Sequence, residues 1–446
     1  MDQILYHYKP VDPTTWVYLS SLLIIAIYFK FSRVWSVRNL DLLGLVALAP
    51  GLLMVQQEGT AAQVGYVWLF ATSGFFLVRL LVDPMMVRRP LLEPNLSPGG
   101  LTFATVSLLV FLMVNALTKE TTDSDLDGPR RLDELLSREE TPEADASLAT
   151  HGPAYPWMHL LARLPTKTLV AKEVGDEGAA EPARVREQEY VATARMMAIL
   201  SHLAVVAGMV LIGARHFGSA RTGVAAANLY LLLPYTAQMT GRVDHVLPAA
   251  LVVWAVFAYR RPLVAGMLLG LATGVIYYPF FLLPLWVGFY WHRGMLRFSV
   301  GFLATLALVM GTRFFAVGGI EPLLAQVRQV FGWTSLSPDN ISGFWSFYES
   351  ANPYRLSVLA AYGAMCASFA LWPAPKNLGT LLSCSAAVML GTQFWQPQDG
   401  GLYMGWYLPL LLLTIFRPNL EDRVALTVLG DGWLTNRRRP PAIRAA

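Results

Sequence analysis

Long apolar segments recur along the whole sequence, and they limit the possible folds more than any other feature. Crossing the hydrocarbon core of a membrane takes about 20 residues of helix. Many apolar runs in this chain approach that length, and they are spread from end to end. The sequence therefore predicts an all-α, polytopic integral membrane protein.

The composition supports this interpretation. Of the 446 residues, 55% are hydrophobic and only 14% are charged, which is too apolar for an ordinary soluble protein. The net charge of +4 is modest and gives no support for nucleic-acid binding. Both cysteines, Cys366 and Cys384, fall inside apolar segments, which argues against a disulfide framework.

We predict about thirteen membrane spans, and basic residues orient them. Lysine and arginine concentrate in short cytoplasmic loops, and here they follow alternate spans, as at Arg88 and Arg89 or at Arg260 and Arg261. This pattern places the N-terminus outside and the C-terminus in the cytoplasm. The predicted spans are residues 16–29, 41–55, 64–82, 101–117, 193–213, 222–239, 246–259, 262–276, 278–291, 298–313, 356–373, 377–391 and 403–416.

Two long loops on the extracytoplasmic side divide the chain. We expect the functional site there, in a cell membrane of the bacterial inner-membrane type. The predicted regions are four N-terminal spans (1–117), a first outer loop (118–192), six central spans (193–313), a second outer loop (314–355), three C-terminal spans (356–416) and a cytoplasmic tail (417–446).

The segment DSDLDGPRRLDE, at the start of the first outer loop, matches the pattern of a calcium-binding loop. Asp123, Asp125, Asp127 and Glu134 would supply oxygen ligands, and Gly128 would form the sharp turn. The arginines within the segment make the site less anionic. Three interpretations stay open at this point: a bound divalent cation (Ca²⁺, Mg²⁺ or Mn²⁺), a catalytic acidic cluster, and a solvated linker.

Further along the same loop, HGPAYPWMHLLARLP combines prolines with aromatic residues. Tyr155 and Trp157 are expected at the lipid–water boundary, where they would anchor the loop or form a wall of a site for a lipid-linked head group. The histidines of this stretch, His151 and His159, do not have the spacing of a metal-binding motif with His245.

The segment GRVDH brings Arg242, Asp244 and His245 to the outer edge of two spans. Charged groups so close to hydrocarbon are costly unless they are paired or solvated in a cavity. The sequence thus predicts either a structural ion pair or a polar site. Close helix packing is expected in the next span, where Gly266, Gly270 and Gly274 lie four residues apart on one face.

Taken in order, GRVDH, YRRP, AGMLLGLATG and YYPFFLLPLW resemble the pattern of GT-C class glycosyltransferases, especially the polyprenol-phosphate-mannose-dependent family. The likeness is strong over about a quarter of the chain, and GPAYPWMHLLARLP and GLYMGWYLPLLL add to it. Two features depart from the family pattern: three additional spans precede the first outer loop, and Ile276 stands where the family has a lysine.

The resemblance implies transfer of a sugar from a lipid-phosphate donor to an acceptor on the extracytoplasmic face, by an inverting displacement. It implies catalytic carboxylates at Asp244 and within the cluster Asp123, Asp125 and Asp127. The residues expected to bind substrate are Arg242, His245, Tyr155, Trp157, Arg328 and Arg355, and for Arg328 and Arg355 an interfacial anchor is the alternative.

Two other functional classes remain open. A transporter or flippase of a lipid-linked substrate would carry ionisable residues deep within spans and would contain paired half-repeats. The ionisable residues of this chain gather at the outer edge of the spans instead. A noncatalytic membrane scaffold would explain the missing lysine.

Overall fold

The computed structural model describes residues 12–86, 92–137, 151–177, 182–317, 341–348, 352–374 and 376–418. Within these ranges the chain is all-helical and contains no β-strand, apart from one isolated bridge between Gly343 and Gly400. The all-α prediction is thus confirmed for the part of the chain that is described.

The described ranges contain 17 α-helices. In chain order they are α1 Pro13–Tyr28, α2 Val37–Val55, α3 Thr60–Val82, α4 Pro98–Thr118, α5 Asp123–Ser137, α6 Tyr155–Met158, α7 Leu160–Glu177, α8 Pro182–Arg215, α9 Ala220–Leu232, α10 Pro234–Gln238, α11 Val243–Phe257, α12 Pro262–Val275, α13 Leu283–Tyr290, α14 Met295–Val317, α15 Asn352–Ser368, α16 Leu378–Gly391 and α17 Leu408–Phe416.

Every one of the thirteen predicted spans overlaps a helix. Five helical segments of the described chain are long and apolar enough to cross a membrane. Five of the eight remaining spans correspond to shorter apolar helices, so the structure supports a membrane protein without establishing the count of thirteen or the orientation. The five segments are Val37–Val55, Thr60–Met85, Pro98–Thr118, Ala183–Arg215 and Met295–Thr312.

Long and short helices occupy different places in the bundle. The short helices α9, α11, α16 and α17 are buried on nearly all faces. Two long segments, Pro98–Thr118 and Met295–Thr312, have only 22% of their most apolar window buried. An apolar surface of that size is stable in contact with lipid. The short helices therefore form the interior, and the long ones surround them.

Glycines allow α12 and α14 to pack closely. A Cβ atom at Gly266 would overlap the carbonyl oxygen of Phe298, and one at Gly270 would come within 2.7 Å of the carbonyl oxygen of Phe302. The predicted glycine face is therefore confirmed as a helix–helix contact. Gly274, at the end of the same face, contacts both α14 and the loop before α6: a Cβ atom there would lie 3.3 Å from Val309 Cγ1 and 3.0 Å from Ala154 Cβ, and the Ala154 N–H donates to the Gly274 carbonyl at 2.8 Å.

A buried ion-pair network joins the helices at one end of the bundle. Arg79, near the end of α3, donates to both carboxylate oxygens of Asp41 at 2.9 and 3.0 Å. It also donates to Asp83 at 2.8 Å, and Arg417, just after α17, donates to the other oxygen of Asp83 at 2.6 Å. Charges buried this deeply are tolerated because they are mutually paired.

Candidate functional site

A second charged cluster lies at the other end of the bundle, where α11 begins. Arg242 is the residue before α11, and Asp244 lies in its first turn. The Arg242 guanidinium donates from Nε to Asp244 Oδ1 at 3.0 Å and from Nη2 to Oδ2 at 2.7 Å. The carboxylate is also favoured by its position at a helix N-terminus. Asp244 is only 3% exposed, so this bidentate contact fixes a charge that is almost fully withdrawn from solvent.

Two of the acidic residues predicted as catalytic, Asp125 and Asp244, meet at Arg242. Asp125 Oδ1 lies 3.8 Å from Arg242 Nε. Its other oxygen accepts hydrogen bonds from Thr122 N at 2.9 Å and from Thr122 Oγ1 at 2.8 Å. One member of the predicted acidic cluster thus lies close to Arg242 and Asp244.

The rest of the predicted calcium segment does not surround one ion. Asp123–Ser137 is a helix, so Asp123 and Glu134 are separated by about 16 Å along its axis at 1.5 Å per residue. The Asp123 side chain is 93% exposed and pairs with Arg130 at 3.2 Å. Asp127 and Glu134 are half-buried on the same helix. Among the described residues, no group of three or more His, Cys, Asp or Glu is arranged to hold a metal ion.

The solvated-linker interpretation of this segment is also corrected. Leu126, Pro129 and Leu132 are buried, as is Gly128. Gly128 lies so close to the imidazole of His159 that any Cβ atom there would overlap the ring. The helix is amphipathic, and its apolar side packs onto the protein. Asp125 is buried beside Arg242, whereas the Asp123 side chain is exposed. The segment is thus part of the folded site region rather than a tether.

Two histidines flank the Asp244 carboxylate. The Nε2 atoms of His151 and His245 each lie 3.7 Å from Asp244 Oδ2. The Tyr235 hydroxyl is 2.6 Å from His245 Nδ1 and fixes that ring. His245 was predicted at the site, whereas His151 was considered only as a member of a metal triad. Its proximity to Asp244 results from the docking of its loop onto α12.

That docking is made by the backbone. Gly152 N–H donates to the Val275 carbonyl at 2.8 Å, and a Cβ atom at Gly152 would overlap the carbonyl of Gly274. The Tyr277 hydroxyl donates to the His151 carbonyl at 3.1 Å. A glycine at position 152 therefore lets the loop approach the end of α12 closely enough to bring His151 to Asp244.

Tyr155 is not at the lipid–water boundary, as was expected. It is buried, and its ring stacks on His151 with centroids 4.2 Å apart, behind the carboxylate. Trp157 is half-buried. His159 is fully buried beneath α5, and its Nδ1 lies 3.0 Å from the Tyr155 carbonyl. Tyr155 and His159 therefore pack beneath the site rather than facing lipid or solvent.

Lys119 is a cation that sequence reasoning missed. It follows α4, and its Nζ donates to the Gln238 carbonyl at 2.6 Å. Burial lowers the pKa of Lys119, and the nearby Asp125 carboxylate opposes that effect. Two cations, Lys119 and Arg242, thus balance two carboxylates, Asp125 and Asp244. The signal in the sequence was its position at the junction of an outer span and an acidic segment.

Arg355, another predicted cation, is not at this cluster. Arg355 is 4% exposed, and its Nη1 donates to the Trp395 carbonyl at 3.4 Å. It is therefore a buried residue rather than an interfacial anchor. Arg328 lies outside the described residues.

Asp244 lines a small pocket that is partly open to solvent and whose volume of about 10 Å³ is enough for about one water molecule. The wall is mainly aromatic and amide in character. Trp406 anchors it, because its Nε1 donates to the Asp244 carbonyl at 2.9 Å. The lining residues are His151, Asp244, Ile276, Tyr278, Gln396, Gln398, Tyr403 and Trp406.

Most of these lining residues come from segments far apart in sequence, and sequence reasoning named only Asp244 among them as a site residue. Tyr403 and Trp406 lie within GLYMGWYLPLLL, a stretch that had been noted for its likeness to the glycosyltransferase pattern. Ile276, which stands at the lysine position of the resembled pattern, also lines the pocket. Comparison with protein-family models, curated proteins and solved structures gave no match to this chain.

Proposed function

We propose that this protein is a membrane glycosyltransferase of the GT-C type, which transfers a sugar from a polyprenyl-phosphate donor to an acceptor on the extracytoplasmic face. The observation that carries the proposal is the buried Asp244 carboxylate, held by Arg242 at the edge of an open pocket. It occurs within GRVDH, the motif on which the resemblance rests.

The proposal includes thirteen spans, with the N-terminus outside and the C-terminus in the cytoplasm. The alternation of basic residues supports this orientation. Arg215 is the last residue of α8, and Arg260 and Arg261 lie between α11 and α12. All three are at the end of the bundle opposite Asp244. The pocket then opens on the extracytoplasmic side, where a lipid-linked head group would reach it from the membrane surface.

In the proposed reaction, the hydroxyl oxygen of the acceptor attacks the anomeric carbon of the donor sugar. The bond between that carbon and the phosphate oxygen breaks, and its electron pair leaves with the phosphate. The hydroxyl proton passes to a carboxylate. Attack opposite the leaving group inverts the anomeric configuration. The protein must therefore supply a base and a cation that stabilises the departing phosphate.

Asp244 is the base and Arg242 is the cation. Binding of the donor changes the ion pair between them. An arriving phosphate competes with Asp244 for the guanidinium, because arginine binds phosphate oxygens bidentately. Once the guanidinium turns to the phosphate, Asp244 loses the donors that stabilise its charge and becomes a stronger base. Asp125, 3.8 Å from Arg242 Nε, keeps the cation at the site meanwhile.

The test is transfer of radiolabelled sugar from polyprenyl-phosphate donors in membranes that carry the wild type, Asp244→Asn or Asp123→Asn. We expect Asp244→Asn to lower transfer by roughly 10²- to 10⁴-fold, the range for loss of a general base. Asp123→Asn is the matched control, since that side chain is exposed and lies outside the pocket. Its activity should equal that of the wild type.

Parallel reactions with EDTA test the requirement for a divalent cation. Expression level and thermal unfolding in detergent establish that the variants are folded. If the wild type transfers no sugar from any donor, the transferase proposal fails, and the transporter and scaffold interpretations replace it. Equal transfer by the wild type and Asp244→Asn would leave a transferase whose base lies elsewhere.

A further inference from the structure

The connection between α1 and α2 exposes two aromatic side chains. Trp35 is 89% exposed and Phe31 is 70% exposed. The connection leads directly into Val37–Val55, one of the segments that are long and apolar enough to cross a membrane. Both rings therefore lie within a few residues of the hydrocarbon boundary, which is where tryptophan is enriched in membrane proteins.

The start of α2 also presents apolar side chains outward. Leu40 and Leu43, in the first two turns of the helix, are exposed. Exposed leucines at the start of a membrane-crossing helix are stable in contact with acyl chains. The connection and the adjoining turns of α2 thus both offer apolar surface to a membrane.

A buried asparagine fixes the shape of the connection. Asn39 is fully buried. Its Nδ2 donates to the carbonyls of Lys30 and Arg33 at 3.0 Å and to that of Val34 at 3.2 Å. Its Oδ1 accepts from the Lys30 N–H at 3.1 Å. Because these hydrogen bonds tie the backbone of the connection to α2, the exposed side chains are held in a defined arrangement.

Three basic residues accompany the two rings. Lys30 and Arg33 lie in the connection, and Arg38 is in the first turn of α2. Arg33 and the exposed Glu93 are both close enough to Arg38 for their charges to act on it. The acidic residues of the buried ion-pair network, further along the bundle, are already paired with arginine. Among the described residues of this region, three cations therefore face one exposed carboxylate, and the excess charge favours an anionic ligand.

Arg38 also has a hydrogen-bond donor to offer. Its Nε is buried and donates to none of the described residues, and a buried donor without an acceptor is costly. Ser36 caps α2 by accepting from the Asn39 N–H at 3.3 Å, so Arg38 lies at the positive end of the helix dipole. A phosphate oxygen would satisfy Arg38 Nε and is favoured at a helix N-terminus.

The two exposed rings decide between a lipid and a soluble anion. A free phosphate would satisfy the arginines but would leave Trp35 and Phe31 in water. An anionic phospholipid supplies a phosphate for the arginines and an apolar boundary for the rings. In the proposed topology this end of the bundle is cytoplasmic, and the cytoplasmic leaflet carries the negative surface potential that attracts basic residues next to a membrane span.

We propose that Arg33, Arg38 and the N-terminus of α2 bind the phosphate of an anionic phospholipid. Trp35 and Phe31 lie beside it, between the head group and the acyl chains. The site is at the start of α2, and the 19 residues of that helix, or about 28 Å, separate it from the end of the bundle that carries Asp244. It is independent of the proposed function.

Thermal unfolding of the full-length protein in a neutral detergent tests the binding. The probes are short-chain phosphatidylglycerol, phosphatidylcholine with the same acyl chains, and inorganic phosphate. We expect phosphatidylglycerol alone to raise the unfolding temperature in a saturable manner, because a ligand that binds the folded protein stabilises it. Arg33→Gln and Arg38→Gln should each weaken the affinity for phosphatidylglycerol about fivefold, the effect of one basic residue at an anionic lipid surface.

Arg215→Gln is the matched control. Arg215 is exposed at the end of α8 that lies on the same side of the bundle, and the aromatic residues that follow it, His216 and Phe217, are buried. The affinity of this variant for phosphatidylglycerol should equal that of the wild type. A loss as large as in Arg33→Gln would show attraction to overall charge and would overturn the inference.

Three other outcomes would overturn it as well. These are equal stabilisation by phosphatidylcholine, equal stabilisation by inorganic phosphate, and unchanged affinity in both Arg33→Gln and Arg38→Gln. Light scattering on the lipid-free protein addresses the remaining occupant of this surface. A dimer that forms without lipid and is lost in Trp35→Ala would assign the surface to a second copy of the chain instead.

Discussion

At the scale of single residues, the site depends on charges that are removed from water and held by one another. Arg242 and Asp244 are two residues apart, and the turn that starts α11 brings their side chains into bidentate contact. The motif GRVDH predicted that these residues are paired or lie at a polar site, and the structure shows both. The motif did not reveal that Asp125, Lys119 and His151, from other parts of the chain, lie close to this pair.

The Arg242–Asp244 pair predicts a characteristic pattern of stabilities. Arg242→Ala leaves a buried carboxylate without its cation and should lower the free energy of unfolding by about 3 kcal/mol. The double variant Arg242→Ala with Asp244→Ala removes both charges and should lose less than Arg242→Ala alone. Thermal and denaturant unfolding in detergent measure both. Additive losses in the double-mutant cycle would contradict a coupled pair.

His159 predicts a dependence of stability on pH. Burial lowers its pKa from 6.5 to about 4 in the folded protein. Between these values the unfolded chain binds a proton at this residue that the folded protein does not. Stability is therefore fully retained above about pH 6.5 and falls as the pH is lowered toward 4, by up to about 3 kcal/mol.

The variant His159→Leu should show a flatter stability profile across this pH range than the wild type. His292→Leu is the control, because His292 is exposed, and its profile should follow that of the wild type. Chemical unfolding at a series of pH values gives both profiles. Parallel profiles for the wild type and His159→Leu would show that His159 is not the group responsible.

At the scale of elements, glycines allow the close contacts that hold the loop of His151 against α12. The spacing of Gly266, Gly270 and Gly274 predicted a close contact along one helix face, and that contact exists. The sequence did not indicate that Gly274 contacts a loop in addition to α14. Because the loop at Gly152 bonds to the end of α12, the same face that packs α14 also carries His151 to Asp244.

Replacing Gly266 by alanine should separate α12 from α14. The new methyl group would overlap the Phe298 carbonyl, and overpacking of this kind costs about 1 to 3 kcal/mol. Gly311→Ala is the matched control within α14, since a Cβ atom there meets nothing within 4 Å. That change should be neutral or slightly stabilising, because alanine favours helix more than glycine does. Thermal unfolding of the two variants distinguishes them, and equal stability would argue against the close contact.

At the scale of the whole molecule, the two ends of the bundle differ in charge chemistry. One end is closed by the network of Asp41, Arg79, Asp83 and Arg417, whose charges satisfy one another. The other end holds Asp244 at an open pocket. The proposed topology places the end with the pocket outside the cell and the end with the ion-pair network in the cytoplasm.

Labelling of single cysteines from outside the cell tests that orientation. Asp123→Cys should react with a membrane-impermeant maleimide, because this residue is exposed on α5 at the site end. Arg215→Cys, at the far end of α8, should be protected until the membrane is permeabilised. Background from Cys366 and Cys384 should be low, since both are buried. The reverse labelling pattern would invert the proposed topology.

The sequence by itself determined the all-helical fold and the approximate positions of the apolar helices, because apolar runs and the need to hydrogen-bond the backbone are local constraints. It also marked Asp244, since a charge at the edge of an apolar run must be compensated. Only the tertiary structure decided which partners compensate it. Asp125, His151 and the aromatic wall meet Asp244 through contacts between residues distant in sequence, and whether DSDLDGPRRLDE binds an ion as a loop or packs as a helix depended on the surface that the rest of the bundle offers it.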